Sequence, residues 1–146
     1  MPSENFKLAG GCYCEKLRYE LNLESKDEAR TSLCHCRNCK KAFGGVYGVT
    51  IKVPIKGFKY TSAEEKPTIH CQDNGSGSNV YREFCPTCGS YICEYGEKAK
   101  DKFRYITLGS LDNPEELPPK GEFFCKQRAS WMPEIPGIFH KQEIKE

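Results

Sequence analysis

Residues 17–23 (LRYELNL) alternate apolar and polar side chains, the period of two expected of a strand with one buried face. Residues 47–53 (YGVTIKV) and 58–61 read the same way on either side of a Pro54–Gly57 break. Two further β-type runs, 79–85 and 90–95, flank the sequence CPTCG, so this stretch predicts strand, knuckle, strand. Residues 103–108 (FRYITL) predict another strand and residues 122–126 a last one. Between them lie a charged loop at 24–30, a Gly/Ser turn at 73–78 and a three-proline loop at 112–120. Only residues 34–43 carry a helical expectation, a short turn stopped by Gly44-Gly45. The tail from Lys141 is expected to fray. Many short strands punctuated by Gly and Pro, with little helix, predict an all-β sandwich or open barrel.

A length of 146 residues fits one domain and can bury a core without help from metal. With 38% hydrophobic and 29% charged residues, the chain has a globular balance rather than a disordered one. A net charge of +2 is too small a bias to predict nucleic-acid or membrane binding. The lysines at 52, 56, 59 and 98–102 read as solvated surface. No apolar run resembles a signal peptide or a bilayer span, so the default location is cytosol, with the nucleus as the other choice. Composition carries no signal for the oligomeric state.

That reducing setting changes the meaning of ten cysteines, which at spacings of two and three residues suggest metal ligands before disulfides. They form three clusters: Cys12 and Cys14; Cys34, Cys36 and Cys39; and Cys85 and Cys88. In Cys-Pro-Thr-Cys-Gly the turn aims two sulfurs at one metal, and Gly89 permits a positive φ after the second. No βαβ pattern accompanies it, which argues against a redox pair. Two sulfurs do not fill a tetrahedral zinc site. The second pair comes either from Cys36 and Cys39, as in a zinc ribbon, or from Cys12 and Cys14. The latter grouping is preferred, because Cys34, Cys36 and Cys39 can grip one metal themselves and the ribbon would strand Cys34, Cys12 and Cys14. Four sulfurs close a zinc site, whereas three leave a position for water or substrate. A zinc on three thiolates is a weak Lewis acid suited to sulfur chemistry. His35, between two ligands, is expected to point away from the metal. Cys71, Cys93 and Cys125 are read as buried small hydrophobes, with a place near the open zinc as the alternative for Cys71 or Cys125. His70 and His140 have no ligand spacing.

The motifs GGCYCEKLRYEL, SLCHCRNCKKAFGG and EFCPTCGS, in that order, resemble the glutathione-dependent formaldehyde-activating enzyme family, which shares its domain with centromere protein V. ITLGSLDNPEEL and FFCKQRASWMP extend the resemblance across most of residues 6–133, leaving 134–146 as a tail. The resemblance implies a fold of short antiparallel sheets around a structural zinc with little helix, shared with a small accessory factor of Rab GTPases (the Mss4-like fold). It implies two Zn2+ per chain: a structural one on Cys12, Cys14, Cys85 and Cys88, and a catalytic one on Cys34, Cys36 and Cys39. The implied reaction joins glutathione to formaldehyde as S-hydroxymethylglutathione, a carbon–sulfur lyase chemistry. Arg37, Lys40 and Lys41 would then attract glutathione carboxylates, and Trp131 belongs either to the pocket wall or, more often for a lone Trp, to the core. The alternative reading is a non-catalytic zinc module for a protein or chromatin partner. Two positions depart from the family: Glu15 stands where Gly is common, and Glu122-Phe123-Phe124 where a His-Ile-Phe run is frequent.

Overall fold

A computed structural model describes residues 4–144. Eleven strands and one α-helix are present among them. A small antiparallel sheet consists of β1 (Phe6–Gly11), β2 (Arg18–Leu23) and β5 (Phe58–Tyr60), in the order β1-β2-β5. The large sheet contains β3 (Arg30–Cys34), β4 (Gly48–Pro54), β6 (Thr68–Asp73), β7 (Asn79–Phe84), β8 (Tyr91–Gly96), β9 (Phe103–Thr107), β10 (Gly121–Phe123) and β11 (Phe139–His140). Its order is β11-β10-β3-β4-β9-β8-β7-β6. Pairing is antiparallel except at one edge, where β10 runs parallel to both β3 and β11. The fold is therefore mostly β, as expected.

Alternation places the core. In β2 the residues Tyr19, Leu21 and Leu23 turn inward while Glu20 and Asn22 face out. They meet Ile51 and Val53 of β4, Ile92 and Cys93 of β8 and Ile106 of β9 in one cluster spanning both sheets. Each such side chain contributes about 1.5–3 kcal/mol through burial. Tyr19 keeps its hydroxyl satisfied through Ser110 Oγ at 2.7 Å. Cys12 and Cys85 belong to the same cluster, so the first and third cysteine motifs converge at the edge of this core.

Several expectations need correction. β1, β3, β6 and β11 were not anticipated, and the charged loop ends at Arg30, the first residue of β3. The last predicted strand ends at Phe123, because Phe124 takes φ 55° and the chain turns through a 3-10 segment, Cys125–Gln127. The tail does not fray at Lys141. Its N–H donates to Glu122 O at 2.9 Å, and its carbonyl accepts from Cys125 N–H at 2.9 Å. Cys93 and Cys125 are buried, but Cys71 lies on the wholly exposed strand β6. Trp131 is 71% exposed, so it is not core.

Candidate metal centres and adjoining cavity

Two knuckles bring the first sulfur group together. Cys12 and Cys14 lie in the turn between β1 and β2, and Cys85 and Cys88 in the turn between β7 and β8. Gly89 takes φ 77°, as the CPTCG pattern predicts. Sγ of Cys12 and Cys14 are 3.5 Å apart, and those of Cys14 and Cys85 are 3.8 Å apart. Four sulfurs bonded to one zinc at about 2.3 Å sit roughly 3.8 Å from each other, so the arrangement fits the ion. Backbone N–H groups of Thr87 and Cys88 donate to Cys85 Sγ, and Leu17 N–H donates to Cys12 Sγ. Such bonds favour thiolate over thiol. The Ser90 hydroxyl, 3.1 Å from Cys88 Sγ, lowers the Cys88 thiol to about 5.

The second group is local. Cys34 ends β3, and Cys36 and Cys39 begin α1 (Arg37–Phe43), which stops at Gly44 with φ 68°. Cys36 caps the helix, its sulfur accepting from Cys39 N–H at 3.4 Å. Cys34 and Cys36 sulfurs lie 3.3 Å apart. Hydrogen bonds from Cys34 and then Cys39 hold the Cys36 thiol well below its ordinary value, and Cys34 and Cys39 are pushed up in return. The ligand atoms of each group all lie within 4.8 Å of one another. Both groups can therefore hold a metal ion, and all-sulfur donors suit zinc. His35 does not join the second group; it points into the protein and meets Glu122.

Cys36 and Cys39 line a cavity of about 260 Å³. Glu94, Tyr105 and Arg82 stand on its other walls. Glu94 follows Cys93 on β8 and so points to the opposite face of the sheet, away from the core. Its Oε2 accepts from Tyr91 OH at 2.8 Å and lies 3.3 Å from Arg82 Nε. Burial raises the Glu94 carboxyl above its ordinary range. A second cavity, about 530 Å³, shares Asn38, Asn74, Val80 and Arg82 with the first and adds Arg37 and Lys41. Asn38 Nδ2 donates to Asn74 O at 2.9 Å, which ties α1 to the 73–78 loop between the two cavities.

Of the basic residues singled out in the sequence, Arg37 and Lys41 line this space. Lys40 does not, since its Nζ donates to Gln127 O at 2.6 Å. Trp131 lines neither cavity. Glu94, Tyr91 and Arg82 were not expected near these cysteines, and Glu122 stood out only as a departure from the family's His-Ile-Phe run. None has motif spacing, and the alternation of Glu94 with Cys93 was the only local cue.

A crystal structure of a Rhodobacter sphaeroides protein is similar, with a TM-score of 0.55 at 19% identity, covering 75% of this chain and 94% of that one. At that identity the likeness shows the fold. No curated protein matches the chain. The sequence pattern described as glutathione-dependent formaldehyde-activating enzyme matches residues 7–127, a stretch that contains both sulfur groups. The chain belongs to the glutathione-dependent formaldehyde-activating enzyme family.

Proposed function

We propose that this chain is a zinc-dependent enzyme that makes or breaks the carbon–sulfur bond of a glutathione-type adduct such as S-hydroxymethylglutathione. In this reading the zinc on Cys12, Cys14, Cys85 and Cys88 is structural. The zinc on Cys34, Cys36 and Cys39 keeps a fourth position for substrate. The observation that carries the reading is the setting of the three-sulfur group, on the wall of a cavity that shares four residues with a basic one. A thiol bearing carboxylates matches that pair of spaces: sulfur toward Cys36 and Cys39, carboxylates toward Arg37 and Lys41.

When bound, the second zinc supplies stabilisation of the substrate thiolate. Glu94 handles the proton. Its free carboxylate takes the proton of the incoming thiol and returns it to the aldehyde oxygen, as the S–C bond forms and the C=O π bond breaks. No proton is gained or lost overall, and the reverse reaction uses the same atoms. Tyr91 and Arg82 hold Glu94 by Oε2, which leaves Oε1 for this transfer.

Calorimetry on protein carrying both zinc ions tests the reading. Wild type should bind glutathione, and Cys39→Ser should not. Replacing both Arg37 and Lys41 by Glu should weaken glutathione about tenfold, ~1.4 kcal/mol, while leaving a neutral thiol such as 2-mercaptoethanol unaffected. A wild type that binds no small thiol with both sites filled would overturn the enzyme reading and leave a zinc scaffold.

A further inference from the structure

A segment that supplies no sulfur grips the second cysteine group. Glu122 is fully buried on β10, which lies between β3 and β11 and has all three of its residues buried. One carboxylate oxygen, Oε1, lies 2.9 Å from Nε2 of His35. The other, Oε2, lies 2.8 Å from Nη2 of Arg128 and 3.1 Å from Nε2 of His140. These partners come from three separate places: the β3–α1 junction, the turn after β10, and β11. An unpaired carboxylate in such a place is strongly unfavourable, so the donors are a condition of its burial. Burial by itself would raise the Glu122 carboxyl, but His35 and Arg128 hold it below the usual range.

His35 is the residue between Cys34 and Cys36. Its Nδ1 is buried and has no partner, so the bond to Glu122 is the ring's one polar tether. Its backbone N–H donates to Phe123 O at 3.1 Å, continuing the parallel pairing of β3 with β10. One helical turn further, Lys40 Nζ reaches Gln127 O. The Cys34–Cys36 peptide is thus fixed from its side chain, its backbone and its helix by residues 122–127. Behind them, β11 pairs Glu122 with His140 through the backbone; the His140 ring bonds Ile135 O at 2.8 Å and stands 3.1 Å from Oε2, which accepts its hydrogen bond from Arg128. Among the described residues, the hydrogen bonds of Cys12, Cys14, Cys85 and Cys88 sulfurs go to other groups.

We propose that Glu122 is a positioning residue for the second metal site. Through His35 on one side and His140 on the other, it couples the C-terminal strand to the geometry of Cys34, Cys36 and Cys39. The proposal rests on the reading that these three cysteines hold a metal. A buried ion network is weak as a source of stability, because apolar packing does as well; what it provides is direction. Groups that orient metal ligands from behind typically change metal affinity 10–100-fold when removed.

The test is cobalt(II) and zinc affinity by chelator competition on the full chain, with Cys39→Ser as the reference that shows the first site alone. Glu122→Gln and His140→Ala should each lower second-site affinity by about 10–100-fold and leave the first site within twofold. If wild type fills two sites and both variants keep second-site affinity, the positioning role is overturned while the zinc reading stands. If wild type fills only one site, the zinc reading falls and the proposal with it. Should Glu122→Gln fail to fold, His140→Ala decides. Its histidine lies at the rim of the network, so selective second-site loss supports the proposal and unchanged affinity overturns it.

Discussion

Glu15 takes φ 67°, the left-handed region that a side chain bearing Cβ enters at a cost of about 1–2 kcal/mol. It follows Cys14 in the first knuckle, where Gly is common in this family. The departure leaves the turn intact: Glu15 N–H still donates to Cys12 O at 3.1 Å, and the sulfurs still converge. The closed sulfur group over-determines the conformation, so the strain is tolerated. Glu15→Gly should therefore raise stability, by about 1 kcal/mol at most once the added freedom of the unfolded chain is subtracted. Thermal melts of the zinc-loaded proteins check this. A lower melting temperature for the variant would mean that the Glu15 side chain stabilises the knuckle through its charge near Arg18.

At the scale of elements, α1 lies against β4 because Gly48 has no side chain. A Cβ there would stand 2.5 Å from the Phe43 ring and 3.2 Å from Cys39 Cβ. Phe43 cannot retreat freely, since it packs edge-on against Tyr91 at 5.0 Å. Gly48→Ala should push α1 outward, costing about 1–3 kcal/mol by overpacking and loosening zinc at Cys39 before zinc at Cys85. Metal retention at the two sites, followed with a chelator, reads out the order of release; simultaneous release would refute it. Strands whose sequences alternate were legible for the same reason that they pack: β2 and β4 present one face to the core. β3 was hidden because Thr31 and Ser32 are buried polar residues. β6 was hidden because none of its residues is buried, and β11 because two residues carry no period. Pairing to a neighbour, rather than local pattern, makes each of these a strand.

Across the whole molecule the two sulfur groups differ in what they join. Cys12 and Cys14 extend from the small sheet, and Cys85 and Cys88 from the large one, so a metal there cross-links the sheets at the edge of the shared core. Cys34, Cys36 and Cys39 span six residues of one β3–α1 junction, so a metal there fastens nothing distant. Metal binding coupled to folding is worth on the order of 10 kcal/mol in small zinc domains. Cys12→Ser or Cys85→Ser should consequently leave insoluble or unfolded protein. Cys39→Ser should keep the fold and lose one zinc by elemental analysis. Equal damage from Cys39→Ser and Cys85→Ser would contradict the division of labour between the groups.

The sequence by itself determined the β class, the core-facing alternation and the seven cysteines of the two groups. Strand periodicity and metal-ligand spacing are both local properties, read within a few residues. It also determined the left-handed position at Gly89 and the departure at Glu15. Only the tertiary structure decided that Glu94 and Arg82 stand beside Cys36 and Cys39, that Lys40 turns away from Arg37 and Lys41, and that Glu122 joins His35 to His140. Those groupings bring together residues tens of positions apart. A lone carboxylate or imidazole carries no spacing that reveals its partner, and only the order of strands in the large sheet puts β8 between β7 and β9 and β10 beside β3.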